Sequence, residues 1–208
     1  MNTFNSRIGI LAPTLYGKSY LARNLIENKI IPFYKSKPYS ANSYKILIYN
    51  TDEEDEYNNL ADKYSKYIVV KNNEDSNPDF KELSFLNKWL LSIEAEYYNS
   101  IILIDDLDIF FSSNRATSKF SGELKNIFSA GRHQGLGVIF MTKTPRYLPK
   151  IMFTNSELLY IGYYDEKEDY SVLPSAIPTK LFSSVNNHIF IRFNRLKMGE
   201  ERIKLVKV

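Results

Sequence analysis

The sequence predicts an α/β fold in which a mainly parallel central sheet is flanked by helices. An apolar run at residues 8–11 leads through a short turn into a helical pattern over residues 20–26. A second apolar run, Ile101–Ile104, ends on two carboxylates. Further apolar runs alternate with segments of helical periodicity. This alternation is typical of a parallel sheet with helices on both faces.

The turn after the first run carries the signature of a phosphate-binding P-loop. It reads Ala-Pro-Thr-Leu-Tyr-Gly-Lys-Ser and fits G-x-x-x-x-G-K-[ST], except that Ala12 stands at the first glycine. A small residue there still permits the turn, and Gly17 lets the backbone approach phosphates closely. We therefore expect ATP to contact nine consecutive residues. They are Ala12, Pro13, Thr14, Leu15, Tyr16, Gly17, Lys18, Ser19 and Tyr20.

Three side chains at these two anchors are predicted to carry charge and metal chemistry. Lys18 would reach the β- and γ-phosphates, and the Ser19 hydroxyl would bind Mg²⁺. The run Ile101–Ile104 is apolar throughout, as expected of a parallel strand buried on both faces. In a P-loop fold it is the Walker B strand. Asp105 would then hold Mg²⁺, directly or through water, and Asp106 would polarise the attacking water as general base.

The remaining elements follow from periodicity and from proline and glycine punctuation. The pattern predicts strands at 45–49, 67–70, 138–142 and 158–162, and helices at 79–98 and 119–130. Residues 31–43, polar and interrupted by proline, are expected to form a long connection. Apolar runs at 188–193 and 202–206 predict a C-terminal β-hairpin. With no repeat and no obvious linker, residues 1–208 are predicted to form a single P-loop ATPase domain.

The amino-acid composition excludes several classes of protein. Hydrophobic residues make up 44% and charged residues 25% of the chain, which is ordinary for a globular protein. The absence of cysteine excludes a disulfide framework, a thiolate nucleophile and a cysteine metal site. No apolar run reaches about 18 residues, and the N-terminus lacks signal-peptide features, so we expect an intracellular or particle-associated protein without a membrane span.

The order of motifs resembles a known family. After the P-loop and the acid pair come Gly-Arg-His-Gln-Gly-Leu-Gly at 131–137, an apolar strand, and Thr-x-x-Pro-x-x-x-Pro at 142–149. This order resembles the FtsK/HerA superfamily of DNA-pumping ATPases. The short chain is most similar to its compact branch, the genome-packaging ATPases of membrane-containing double-stranded DNA viruses, and above all to those of archaeal turreted icosahedral viruses. The likeness covers roughly residues 6 to 162.

The resemblance implies a Mg-ATP-dependent double-stranded DNA translocase that works as a homo-oligomeric ring. It implies a place in the host cytoplasm or on the virion, with capsid or membrane-vesicle proteins as further partners. Arg132 would act on the γ-phosphate bound by a neighbouring subunit. Two positions depart from the family: its second acid is usually glutamate where this chain has Asp106, and Lys143 replaces a γ-phosphate-sensing glutamine. Lysine can contact phosphate, but it cannot orient water as an amide does.

Local charge agrees with a DNA substrate. Between residues 112 and 150, seven cations face Glu123 as the single acid. Such a bias suits contact with the phosphate backbone without base readout. Within this stretch, Arg115 and Lys119 are predicted to contact DNA in the central pore of the ring.

Two other functions fit the same P-loop. A small-molecule kinase would need an acceptor site and a basic lid that closes over the phosphates, and no segment obviously supplies that lid. A weakly hydrolysing, nucleotide-dependent switch or assembly protein is favoured by Ala12 and Lys143.

Lys18→Ala should abolish nucleotide binding or turnover and leave the fold intact, because Lys18 is predicted to be a phosphate ligand and not a core residue. ATP hydrolysis and thermal unfolding of the purified variant measure the two effects. A variant that hydrolyses ATP at the wild-type rate would show that the nucleotide binds elsewhere.

Overall fold

Eight strands form one sheet in the part of the chain that the structure describes. The computed structural model describes residues 6–51, 56–72, 82–111, 122–184 and 188–208. The strand order is β3-β2-β4-β5-β1-β6-β7-β8. The strands are β1 (Arg7–Leu11), β2 (Ile46–Tyr49), β3 (Ile68–Lys71), β4 (Ile101–Ile104), β5 (Gly137–Thr142), β6 (Leu158–Ile161), β7 (Ile189–Asn194) and β8 (Ile203–Lys207).

The first six strands run parallel, and the last two add an antiparallel hairpin at one edge. The predicted α/β class, the mainly parallel sheet and the C-terminal hairpin are confirmed. Because β1, β4 and β5 are adjacent and parallel, the residues that follow them emerge at the same edge of the sheet. This edge therefore receives the P-loop, the acid pair and Lys143.

Helices cover both faces of the sheet, and each face has its own apolar core. One core contains residues of the first three helices, and the other contains residues of the next three. The helices are α1 (Lys18–Leu25), α2 (Ile31–Lys35), α3 (Glu56–Lys63), α4 (Leu83–Glu96), α5 (Gly122–Ala130), α6 (Lys150–Asn155) and α7 (Lys167–Ser171). No helix of the described residues is both long enough and apolar enough to cross a membrane.

The predicted connection at residues 31–43 is wrong for residues 31–35, which are helical, and is confirmed for residues 36–43, which form no helix or strand. A π-helical turn, Ile26–Ile30, carries α1 directly into α2, where Ile31 and Tyr34 are buried. Pro32 lies in the first turn of α2, where a missing N–H breaks no helical hydrogen bond. Proline therefore begins a helical segment here instead of ending one.

The other predicted elements are present, with shifted ends. The helix predicted at 79–98 is observed as α4, and residues 79–81 lie outside the described part of the chain. The helix predicted at 119–130 is described from Gly122 onward as α5. The short helices α6 and α7 were not predicted, because five or six residues are too few for a clear apolar period.

Gly9 sets how closely the central strands pack. It lies opposite Phe140 of β5 and Leu159 of β6. A Cβ atom on Gly9 would lie 2.7 Å from Phe140 Cζ and 2.8 Å from Leu159 Cδ2. A glycine inside a strand often marks such a close approach, and here two core side chains fill the space above it.

Gly9→Ala should lower the free energy of unfolding by about 1–3 kcal/mol, the usual cost of overpacking a filled core. Urea denaturation measures the change. The same substitution in a Leu159→Val background should cost less, because the δ-methyl contact is gone. An equal cost in both backgrounds, or no cost in either, would contradict this account of the packing.

Candidate functional site

The segment between β1 and α1 is a tight turn at the carboxyl edge of the sheet. The Ala12 N–H donates to the Thr142 carbonyl at 3.1 Å, which fixes the end of β1 to the end of β5. Leu15 and Gly17 adopt left-handed backbone conformations, with φ of 62° and 97°. Gly17 supplies this conformation at little cost immediately before the first residue of α1. The turn thus directs the N-terminus of α1 toward whatever occupies the loop.

Lys18 is buried at the base of this turn. Its Nζ donates to the Pro13 carbonyl at 3.2 Å and lies 4.0 Å from Asp106 Oδ1. Burial lowers the pKa of Lys18, while the nearby Asp106 carboxylate acts in the opposite direction. A bound phosphate would add negative charge beside this ammonium group and favour its protonated form.

The two carboxylates that follow β4, Asp105 and Asp106, have different hydrogen-bonding environments. Asp105 Oδ1 accepts a hydrogen bond from the Asp106 N–H at 2.8 Å, and the Asp105 carbonyl accepts one from Thr51 Oγ1 at 3.2 Å. Asp106 has a positive φ of 40°. Its buried Oδ1 has no hydrogen-bond donor among the described residues. A buried carboxylate oxygen without a donor indicates a place where a ligand, water or ion completes the site.

Lys143 lies on the other side of Asp106. Its Nζ is 3.1 Å from Asp106 Oδ2, and its backbone N–H donates to Asp108 Oδ1 at 3.2 Å. Asp108 is buried and was not predicted as a site residue, although it follows the acid pair at a spacing of two in Asp-Asp-Leu-Asp. Asp108 holds the backbone at Lys143, and this places the lysine against Asp106.

The structure brings Lys18, Asp106 and Lys143 together. In the P-loop, Thr14, Leu15 and Tyr20 are exposed, and Pro13 and Ser19 are half-buried. Ala12 and Tyr16 are buried. The predicted DNA contacts Arg115 and Lys119 lie outside the described residues, so their placement stays a prediction.

Arg132 belongs to a 3₁₀ turn, Gly131–Gln134, that precedes β5. This turn lies at the amino edge of the sheet, whereas the P-loop lies at the carboxyl edge. The six residues of β5 separate the two edges by roughly 20 Å, at about 3.3 Å per residue. The structure therefore does not bring the Arg132 backbone near the P-loop of its own chain.

The turn that carries Arg132 is tied to the start of β4. The Asn99 N–H donates to the Gln134 carbonyl at 3.1 Å. Gly135 has a φ of +74°, and a Cβ atom there would lie 2.3 Å from Asn99 Oδ1. A glycine is thus required at this position of the Arg-His-x-Gly element.

The start of the C-terminal hairpin contacts the P-loop. Tyr16 Oη donates to the Ile189 carbonyl at 2.8 Å. A Cβ atom on Gly17 would lie 3.2 Å from His188 Nδ1. This contact has no local signal in the sequence, because His188 meets the loop only when the hairpin joins the sheet. His188 therefore lies beside the P-loop, although it was not predicted to do so.

The oxygen donors near the loop suit Mg²⁺. Ser19 offers a hydroxyl in the first turn of α1, and Asp105 offers a carboxylate at the end of β4. Mg²⁺ that binds with a nucleotide takes one or two protein ligands and completes its octahedron with phosphate and water oxygens. The donor set fits such an ion, and so does Asp106 Oδ1, to which no described residue donates a hydrogen bond.

Comparisons with known proteins agree with the fold and the motif order. The model of the family described as "Zonular occludens toxin (Zot)" matches residues 18–160. No curated protein matches the chain. The genome-packaging NTPase B204 of Sulfolobus turreted icosahedral virus 2, solved with ATPγS, is similar with a TM-score of 0.71 and 20% identity over 100% of this chain and 98% of that one.

Two further solved structures share the fold. The DNA-packaging ATPase B204 of Sulfolobus turreted icosahedral virus has a TM-score of 0.68 and 21% identity over 100% of this chain and 98% of its own. The pCW3 conjugation coupling protein TcpA, with ATPγS, has a TM-score of 0.61 and 12% identity over 100% of this chain and 61% of its own. The predicted resemblance to viral packaging ATPases is confirmed.

Lys143→Met should lower the free energy of unfolding by about 1–2 kcal/mol, because it removes the closest cation from a buried carboxylate. The figure is discounted for the partial exposure of Lys143. Lys197→Met is a matched control, since the Lys197–Glu201 pair has a similar distance of 3.2 Å but both side chains are exposed. Urea denaturation should show little change for the control. Equal losses in the two variants would contradict the importance of the buried pair.

Proposed function

The chain belongs to the Zot family. From its fold and its candidate site, we propose that it is a Mg-ATP-dependent double-stranded DNA translocase. We propose that it works as a homo-oligomeric ring and packages a viral genome. The observation that carries the proposal is the meeting of Lys18 and Asp106, 4.0 Å apart, at the carboxyl edge of the sheet, where β5 separates β1 from β4. A phosphate-binding cation and a carboxylate at this separation can hold a nucleotide and activate water beside it.

The proposed chemistry is in-line attack of water on the γ-phosphate. Lys18 and the backbone N–H groups of the loop stabilise the charge on the phosphates. Asp106 accepts a hydrogen bond from the attacking water and acts as general base. Mg²⁺, with Ser19 and Asp105 as its proposed ligands, would neutralise phosphate charge. Lys143, which now pairs with Asp106, would contact the γ-phosphate when nucleotide binds.

Arg132 is proposed to act on the nucleotide of a neighbouring subunit. Its turn lies at the edge of the sheet away from its own P-loop, and so an interaction within one chain is not favoured. The contacts of Asn99 with this turn give it a fixed position, which suits a surface that docks against another subunit. A ring supplies such a neighbour to every site.

The proposals about the DNA substrate and the cellular location are based on similarity to solved structures and on the charge of the chain. The similar structures include two viral packaging ATPases and a conjugation coupling protein. We propose double-stranded DNA as the substrate, with Arg115 and Lys119 in the pore. We also propose the host cytoplasm or the virion as the location, and capsid or vesicle proteins as further partners.

A nucleotide-dependent switch is a second candidate, and one contact favours it. The Asp106 carboxylate lies between two cations, Lys143 at 3.1 Å and Lys18 at 4.0 Å. Asp106 Oδ2 already accepts a hydrogen bond from Lys143 Nζ, and this leaves it less available to accept one from an attacking water. A switch would bind Mg-ATP at this site and turn it over slowly, with no response to DNA. The small-molecule kinase also stays open, and it would transfer the phosphate to an acceptor other than water.

ATP hydrolysis with and without double-stranded DNA tests the proposal. Wild type should release phosphate with Mg-ATP, and DNA should increase the rate. Asp106→Asn should keep Mg-ATP binding and lose hydrolysis, because the base is removed without loss of a phosphate ligand. Slow turnover that DNA does not change would support the switch, and phosphate transfer to a nucleoside would support the kinase.

Mixing two inactive variants tests the proposed role of Arg132. Arg132→Ala should bind ATP nearly as well as wild type and lose about 10³-fold or more in hydrolysis, the contribution of arginine fingers in related reactions. Combined with Lys18→Ala, it should recover activity, since some interfaces then pair an intact P-loop with an intact arginine. Native mass spectrometry must show mixed oligomers first. With mixing shown, no recovery would mean that Arg132 does not act across the interface.

A further inference from the structure

The C-terminal hairpin concentrates the positive charge of the chain. Residues 188–208 hold six Lys or Arg against two Glu, a net charge of +4, compared with +3 for the whole chain. The cations are Arg192, Arg195, Lys197, Arg202, Lys204 and Lys207. The remainder of the chain is thus close to neutral, at −1. Neither the P-loop chemistry nor the Arg132 turn uses this charge.

Part of this charge surrounds a cavity between the hairpin and α6. The cavity has a volume of about 460 Å³ and is lined by Lys150, Arg195 and Arg202. Ser175 and Thr154 add hydroxyl groups to its wall, and Phe193 adds an aromatic ring. Phe193 belongs to the apolar core on the face of the sheet opposite α1. The cavity is therefore separate from the nucleotide site.

Arg202 is held against an aromatic ring, and no described residue forms a salt bridge with it. Its guanidinium carbon lies 5.1 Å from the centroid of the Phe193 ring, a cation–π distance that fixes the orientation of the head group. Its Nε is buried and donates to no acceptor among the described residues. A guanidinium group that is partly removed from water and has no acceptor loses hydrogen bonds to water. A bound anion could replace those hydrogen bonds.

The other two cations, Lys150 and Arg195, have no anionic partner among the residues that the structure describes. In the described ranges, neither Lys150 nor Arg195 forms a salt bridge, although the Arg195 backbone N–H is fixed by the Glu157 carbonyl at 2.8 Å. Three cations around one opening, with hydroxyl donors between them, form an anion site. Guanidinium groups match phosphate oxygens with two parallel hydrogen bonds.

We propose that this cavity binds phosphates of the DNA backbone. The proposal rests on the DNA-translocase function and names a contact surface outside the ring pore. A polymer fits better than a small anion, because residues 188–208 carry a net charge of +4, more than one phosphate neutralises. The cavity offers cations and hydroxyls to the backbone and would bind DNA without regard to sequence.

Binding of a fluorescent double-stranded DNA of random sequence, titrated over a series of salt concentrations, tests the proposal. Arg195→Gln/Arg202→Gln should weaken binding by about tenfold or more at 100 mM salt and flatten the salt dependence by roughly one unit of slope per lost contact. Basal ATP hydrolysis should not change. Lys150→Gln/Arg195→Gln removes two exposed side chains, and it tests the same cavity even if Arg202 is needed for folding.

The control is Lys66→Gln/Lys88→Gln, which removes the same charge from two exposed lysines outside the cavity. It should leave DNA affinity within about twofold of wild type, as expected when no phosphate contact is lost. If the cavity variants and the control weaken binding equally, net charge explains the effect and the cavity is not a DNA site. If wild type itself binds no DNA at any salt concentration, the proposed DNA-translocase function fails as well.

Discussion

A buried carboxylate between two lysines is the interaction on which the candidate site depends. Asp106 is almost excluded from water, and a charge in such a place is stable only when cations or hydrogen bonds compensate it. Lys18 and Lys143 supply the cations from the segments that follow β1 and β5, and β5 lies between β4 and β1 in the sheet. The strand order thus determines which charges meet. It also leaves Asp106 Oδ1 without a hydrogen-bond donor in the described part of the chain, where a ligand can bind.

The same topology separates the two ends of the site. The P-loop and the acid pair lie at the carboxyl edge, and the Arg132 turn lies at the amino edge. A single chain therefore holds one half of the proposed catalytic set at each edge of its sheet. Assembly into a ring would bring the halves of different chains together. In the proposed ring, hydrolysis would depend on the contact between subunits.

Much of the fold follows from the sequence because buried parallel strands give continuous apolar runs. The P-loop and the acid pair were also predictable, since each depends on residues adjacent in the chain. Other contacts were not. His188 reaches the P-loop only through the hairpin, and the Lys143–Asp106 pair depends on strand order. Pro32 was misread because proline can begin a helix as well as end one.

A crystal structure with Mg-ATPγS would show which side chains contact the terminal phosphate. We predict that the γ-thiophosphate lies between Lys18 and Asp106. Lys18 Nζ should leave the Pro13 carbonyl for the β- and γ-phosphates, and Lys143 Nζ should turn toward the terminal group. The account would be contradicted by a nucleotide bound elsewhere while Lys18 keeps its contacts with Pro13 and Asp106.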